Sequence, residues 1–370
     1  MKIHCHRAEL ANAFQTVGTV VPTRTPKEIL KNVKLQVENG IATLIGTDQE
    51  VGIRYQIPGV EVEAGGEVLL PSARIISILR ELQEDKVNLE LDGDIIWIRS
   101  GQSEFQLAAQ NPEEFPEVAG FDAENVVVVQ GKVFKEAIRR TIFATDMESS
   151  RYALGGVLMV FEGDGFKMVA TDSRRLALVE ATYLSQNIEG LQELKPVIPR
   201  GAVQLIERSI LEDDSEIKLA IRENDVLVQC GHATIYARLV EGRFPNYANV
   251  IPKDVENVID LVAGQFYSIV RQSQIVTNEE SRGVTFHFKD GLISLESKAA
   301  EIGQSKIELP ISNEGIDISI TFDPRYVADF LKVLEPETQF QFKLKDSDSA
   351  AMMTVGETFS YVIMPLSPGT

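Results

Sequence analysis

Apolar and polar positions along this chain alternate with two periods, helical and extended, and the order in which the two periods occur is repeated three times. An amphipathic segment at helical spacing opens each copy, at residues 7–21, 131–145 and 263–276. Strand pairs with a period of two follow: 33–37 with 41–47, 156–161 with 166–171, and 283–288 with 292–297. A second helix then starts at Pro71, Pro199 and Asp323-Pro324, where a proline costs no helical hydrogen bond. A second strand pair completes each copy, at 87–91 with 95–99, 216–221 with 226–230, and 339–344 with 351–355. The first two copies end on a shared phrase, Phe115-Pro116-Glu117-Val118 and Phe244-Pro245-Asn246-Tyr247, and the third on Met364-Pro365-Leu366. Gly46-Thr47-Asp48 and Ala170-Thr171-Asp172 follow equivalent strands, so each Asp is expected to serve a turn, while the third copy has Ser297-Lys298 there.

A chain of 370 residues is too long for one ordinary core, and three domains at 1–122, 123–252 and 253–370 are expected. Each is α+β, with two helices on antiparallel sheets. No apolar run of about 18 residues is present, and Met1 to Arg7 do not lead into a signal-peptide core, so a cytoplasmic protein without membrane contact is expected. Two cysteines, Cys5 and Cys230, in different copies predict reduced thiols.

The net charge of −19 argues against a polyanionic partner unless charge is segregated, because DNA binding needs cations at phosphates. It is segregated. The six helical segments hold twelve basic and six acidic residues, against 24 and 49 in the remainder. On 131–145, Lys132, Lys135, Arg139 and Arg140 fall on one side at helical spacing, and Phe134, Ala137, Ile138, Thr141 and Ile142 on the other.

Catalytic and metal signatures are lacking. His4 and His6 flank Cys5 at alternate strand positions, and His232 and His287 are isolated, so no metal or cofactor is expected. Asp172 with Arg174 and Arg175 could resemble an acid beside phosphate clamps, but the matching Asp48 has no arginines after it. Gly163-Asp164-Gly165 reads as a hairpin turn, and no phosphate loop or nucleophile elbow occurs.

Repeats set side by side can pair their sheet edges, and a ring removes free edges altogether. Twelve helices of about 10 Å diameter, six from each of two chains, would line a hole of roughly 28 Å.

Seven phrases in order carry a resemblance over essentially the whole length. They are Asn32 to Val37 with Leu44 to Asp48, Arg99-Ser100-Gly101, Arg151 to Gly156, Val169 to Ala177, Leu239 to Tyr247, Thr277-Asn278-Glu279 with Arg282-Gly283-Val284, and Tyr361 to Leu366. In these the chain resembles the bacterial DNA sliding clamps, the beta subunits of DNA polymerase III. The resemblance implies a non-catalytic, closed head-to-tail homodimeric ring of three-domain subunits. Such a ring encircles double-stranded DNA without reading sequence. A clamp loader places it, and it tethers DNA polymerase and repair factors through short hydrophobic peptide motifs.

Candidate DNA-facing residues are Arg24, Lys27, Arg74, Arg80, Lys132, Lys135, Arg139, Arg140, Arg200, Arg271 and Lys332. The resemblance places a partner-peptide cleft at Leu154, Thr171, Ser173, Arg174, Arg175, Leu176, Pro245, Val250, Val362, Met364, Pro365 and Leu366. Met364, Pro365 and Leu366 are apolar near a chain end and are expected to be covered for a reason. The subunit interface is expected to pack Phe105 and Leu107 on Ile275 and Val276, with Glu104 facing Lys298 or Lys306.

Three departures stand out. Ser173-Arg174-Arg175-Leu176 replaces a turn that is commonly Gly-His-Arg-Leu, Asn249 stands where a basic residue is frequent, and Ser367-Pro368-Gly369-Thr370 extend the usual ending. Two other readings fit the repeat alone: a protein scaffold without DNA, or an enzyme whose site is assembled across repeats. The first leaves the helix charge unexplained, and the second lacks any convergent acid, base, nucleophile or metal set.

Overall fold

The computed structural model describes residues 1–146, 153–278, 282–300, 302–313 and 315–366. The first repeat runs β1 (Lys2–His6), α1 (Arg7–Gly18), β2 (Asn32–Glu38), β3 (Ile41–Thr47), β4 (Val51–Gln56) and β5 (Glu61–Ala64). It continues β6 (Gly66–Pro71), α2 (Ser72–Glu81), β7 (Lys86–Asp92), β8 (Ile95–Ser100) and β9 (Ser103–Ala108). The second runs β10 (Val127–Gln130), α3 (Gly131–Thr141), β11 (Gly156–Glu162), β12 (Gly165–Thr171), β13 (Arg175–Thr182) and β14 (Ser185–Gln186). After β15 (Val197–Pro199) come α4 (Arg200–Ser209), β16 (Glu216–Ile221), β17 (Asp225–Cys230) and β18 (Ala233–Arg238). The third has β19 (Asn257–Val262), α5 (Ala263–Ser273), β20 (Val284–Lys289), β21 (Leu292–Ala299), β22 (Gly303–Pro310) and β23 (Asp317–Phe322). It closes with α6 (Pro324–Lys332), β24 (Gln339–Leu344), β25 (Ala351–Val355) and β26 (Phe359–Ile363). The order of helices and strand pairs read from the periodicity is the order observed.

Contacts divide the chain into two compact units that cut through the middle repeat: Met1–Lys135 with Tyr183–Val240, and Glu136–Thr182 with Glu241–Thr370. The physical reason is strand pairing that continues from one repeat into the next. In the first unit β4 pairs antiparallel with β18, inside a sheet ordered β14-β10-β16-β17-β18-β4-β3-β2-β6. In the second unit β13 pairs antiparallel with β26, inside the run β11-β12-β13-β26-β25-β24-β19. By place in the repeat, β4, β13 and β22 are equivalent, and so are β9, β18 and β26. Both joints therefore unite the same two strand types.

Helices cover the sheets by their apolar faces. Leu10, Ala13, Phe14 and Val17 of α1 are buried, and α1 packs on α2 while α5 packs on α6. The third repeat fills its core with phenylalanines: Phe266 contacts Phe286, Phe340 and Phe342, and Phe286 meets Phe322 edge-on at 5.5 Å.

The two Thr-Asp turns are the same structure. Thr47 Oγ1 donates to Val51 O at 2.8 Å and Val51 N to Asp48 Oδ1 at 2.7 Å. Thr171 Oγ1 donates to Arg175 O at 2.7 Å and Arg175 N to Asp172 Oδ1 at 3.0 Å. Each Asp thus serves its turn, and Gln49 and Ser173 both hold positive φ, 84° and 72°. In the third repeat β21 simply continues through Ser297 and Lys298 to Ala299.

Candidate functional site

The turn at 171–175 delivers β13 to β26 with Leu176 opposite Val362. That buried pair lies in a groove of about 210 Å³ lined also by Thr171, Ser173, Arg174, Arg175, Pro245, Tyr247, Val250 and Met364. Val250 and Met364 keep 44% and 41% of their surface exposed, whereas Leu176 and Val362 keep 2% and 1%. Met364 is thus not covered, contrary to the expectation for the chain end, because it forms part of the groove wall. Leu154 is buried, 2% exposed, and is not among the residues that line the groove. Pro365 and Leu366 do not line it either: Leu366 N donates to Thr321 O at 2.8 Å, which turns the chain toward β23. Tyr247 lines it without having been selected, although it ends the Phe-Pro-Asn-Tyr phrase. The tail 367–370 lies outside the described residues.

One wall of the groove is fixed by Arg175, whose side chain is 10% exposed. Its Nε donates to Asp172 Oδ2 at 2.9 Å, Nη1 to Asp329 Oδ2 at 2.7 Å and Nη2 to Phe143 O at 2.8 Å. The guanidinium also lies over the Tyr326 ring, 4.4 Å from its centroid. Burial works against the charge, but Tyr361, Asp329 and Asp172 outweigh it and hold the guanidinium above its ordinary pKa. The groove is therefore preformed, and Arg175 is its frame.

At the other joint the equivalent apolar spot is occupied by the chain itself, beside a wider and more polar recess of about 670 Å³ that Ile45, Phe115, Val118 and Tyr236 help to line. Gly52 faces Tyr236 in the β4–β18 pairing, as Leu176 faces Val362. Val118 sits on Gly52 so closely that a Cβ there would lie 2.7 Å from Val118 Cγ1. Phe115 and Val118, 6% and 7% exposed, form a cluster with Ile45 and Leu69, and Ile29 and Tyr236 pack against it.

Among the described residues, two edges of the kind that form the joints are left unpaired. β9 bonds only β8, at one end of β5-β1-β7-β8-β9, and β22 bonds only β21, at one end of β22-β21-β20-β23. Phe105 on β9 is 37% exposed and Leu107 is half-buried. Near β22, Ile275 and Ile302 are 75% and 51% exposed, and Val276 is half-buried. Ile302 was not selected from sequence, and its exposure is the only signal for it. Glu104 accepts from Arg99 Nε at 2.6 Å, and Lys306 pairs with Glu308 at 3.0 Å, so both have partners within the chain. Lys298 is exposed.

Of the candidate DNA-facing cations, Arg24, Lys27, Arg74, Arg80, Lys132, Arg139, Arg271 and Lys332 are exposed, and Arg200 is half-buried. Lys135 Nζ donates to Ile210 O at 3.0 Å. Arg140 departs from the exposed face expected for it. It pairs with Glu136 at 2.5 Å, lies over the Phe359 ring at 5.2 Å and is only 18% exposed, because its long stem covers apolar surface.

The thiols are poor nucleophiles: burial pushes Cys5 and Cys230 up to about 12. His4, on β1, contacts Asn88 Oδ1 and Glu63 Oε1 through its two ring nitrogens. Among the described residues no group of three His, Cys, Asp or Glu could hold a metal ion, and no helix is long and apolar enough to cross a membrane.

Three α+β repeats joined through sheet edges, with a preformed apolar groove at one joint, define a class of repeat protein built to bind rather than to catalyse. Three family models match in succession, described as the DNA polymerase III beta subunit N-terminal domain over residues 1–119, central domain over 128–246 and C-terminal domain over 248–367. The chain belongs to the DNA polymerase III beta subunit family. It is 29% identical over 368 residues to the beta sliding clamp of Chlamydia muridarum, covering 99% of each chain. Its fold superposes on a sliding clamp from Pseudomonas aeruginosa bound to griselimycin with a TM-score of 0.90 at 26% identity, covering 99% of each chain. A polymerase sliding clamp from Bacillus subtilis gives 0.90 at 25%, again over 99% of each. Within this family the chain is a DNA sliding clamp, a non-catalytic processivity factor for DNA polymerase III.

Proposed function

We propose that two copies close head to tail into a ring around duplex DNA, with β22 of each copy pairing with β9 of the other. The carrying observation is topological. The chain uses the β4 and β18 types of strand to make two joints, and one strand of each type, β22 and β9, is left over. Phe105 and Leu107 against Ile275, Val276 and Ile302 would supply the apolar contact. Charges at Glu104, Lys298 and Lys306 contribute little, since exposed pairs are worth about 0–1 kcal/mol and two of the three are already partnered.

The basic helix faces, together with Arg24 and Lys27 in the loop after α1, would attract the duplex without holding one register. The acidic remainder of the chain discourages binding elsewhere. The groove beside Arg175 takes an extended peptide with apolar anchors from a polymerase, a clamp loader or a repair factor.

Loading onto nicked circular DNA with a clamp loader, followed by linearisation, tests encirclement. Retention on the circle and rapid loss on cutting are expected. Equal retention on both forms would refute it, and no association at all would favour the scaffold reading.

A further inference from the structure

We infer that a cavity at the β4–β18 joint receives a guanidinium group, the side chain of an arginine on a protein partner. The cavity, about 100 Å³, is lined by Thr19, Asp48, Val51, Gly201, Gln204 and Arg208 over a floor of Val20 and Leu205. The register of the repeats shows what kind of space this is. Leu10, Ala13, Phe14 and Val17 of α1 are buried as Phe134, Ala137, Ile138 and Thr141 of α3 are, so Thr19 takes the position of Phe143. Ala202, Val203, Leu205 and Ile206 of α4 are buried as Val327, Ala328, Phe330 and Leu331 of α6 are. Gly201 thus matches Tyr326, and Gln204 matches Asp329. The two Thr-Asp turns match Asp48 to Asp172 and Val51 to Arg175.

At the β13–β26 joint the corresponding space holds the Arg175 guanidinium, which donates to Asp172, Asp329 and the Phe143 carbonyl and lies over Tyr326. At the β4–β18 joint each acceptor position is kept, as Asp48, Gln204 and Thr19, while the donor is replaced by Val51 and the ring by Gly201. The cavity therefore has the outline and the acceptors of a guanidinium site. Asp48 Oδ1 accepts from Glu50 N at 2.9 Å and Val51 N at 2.7 Å, and its Oδ2 has no partner among the described residues. By the match to Asp172, Oδ2 is the oxygen that would meet a guanidinium Nε. Thr19, Asp48, Gly201 and Arg208 are exposed, so the cavity is reached from solvent. Arg208, the one cation in the lining, opposes a second positive charge and makes the contact a weak, reversible one. A guanidinium offers five donors in a fixed fork that a carboxylate, an amide oxygen and a carbonyl can share, whereas a lysine ammonium is a point charge.

The test titrates acetyl-arginine methylamide into the full chain labelled at its valine and leucine methyl groups, with acetyl-citrulline methylamide, the uncharged isostere, in parallel. Saturable NMR shifts at Val20, Val51 and Leu205 are expected with the arginine probe and not with citrulline. Asp48→Asn keeps an oxygen for the two turn amides but loses the charge, and should weaken binding about tenfold, the usual weight of a hydrogen bond to a charged group. Val51→Arg, which supplies the guanidinium from the chain itself, should abolish binding as read at Leu205. No saturable shift at the three methyl positions, an equal response to citrulline, unchanged affinity in Asp48→Asn, or binding that survives Val51→Arg overturns the inference. Tighter binding of free arginine than of the capped probe would assign the cavity to the free amino acid instead of a partner, and overturns it as well.

Discussion

The two joints within the chain are made by the same strand types in the same register, yet at one the apolar spot over the pairing is sealed by the chain itself and at the other it is open. At the β4–β18 joint the residue facing the partner strand is Gly52, and the segment that ends the repeat drops Val118 onto it and Phe115 beside it. At the β13–β26 joint the equivalent residue is Leu176. The matching segment, Pro245 to Val250, lines the edge of a groove instead of filling it. A repeated architecture therefore offers the same recess twice, and the linker decides whether the chain occupies it or a partner can.

The largest effect should come from unsealing the first joint. Phe115→Ala is expected to cost about 3–5 kcal/mol of stability, the usual range for a buried Phe, read by chemical denaturation. Val250→Ala, at the open joint, should stay within about 0.5 kcal/mol while weakening peptide binding. Comparable stability losses at both positions would end the distinction between sealed and open.

A smaller effect sharpens the role of Gly52. Gly52→Ala should cost about 1–3 kcal/mol by overpacking against Val118. Adding Val118→Ala should recover part of that loss, so that the double variant is milder than the sum of the singles. Strict additivity would show that Val118 does not set the fit.

The smallest concerns the outer edges, where the first repeat has β5 and the second only the two-residue β14. His4 and Lys2 hold Glu63 of β5. The contacts to Asn88 and then Glu63 raise the His4 pKa above 6.5. The resulting stability is complete below the unfolded value and is lost as pH rises through the folded one. Glu63, lowered first by Lys2 and then by His4, loses its share only as pH falls through its own folded value. Raising the pH from about 6 to about 8 should loosen the β1–β5 pairing slightly in amide exchange, and His4→Gln should remove that response. An identical pH response in His4→Gln would count against the contact.

Much of this was legible in the letters. The periods gave the helices and strand pairs of all three repeats, because each element buries one face and a single buried face leaves a pattern. The Thr-Asp turns were readable for a different reason, since they are closed by their own residues. The groove was only partly so. Thr171 and Ser173 to Leu176 line it, whereas Pro365 and Leu366 lie beyond it, because an apolar letter does not show where the backbone turns away toward β23. The shared Phe-Pro phrase could not tell a sealed joint from an open one, since the deciding residue, Gly52 or Leu176, lies far away in sequence and meets it only through strand register. Arg175 owes its place to Asp329, 154 residues on, a separation at which no local pattern survives. Arg140 looked like its neighbours on the helical wheel, and only the Phe359 ring beneath it reveals the difference.

If β9 of one copy pairs with β22 of another, as proposed, the two surfaces differ and each copy is a link with one hook and one eye. Any open string of them, however long, ends in one hook and one eye, and closure is the only state that hides both. A copy blocked at β22 alone would still accept a neighbour at β9 and then admit no further one. Mixed with normal chains, it would form at most an open pair held by one contact, and would lose partners to closed pairs held by two.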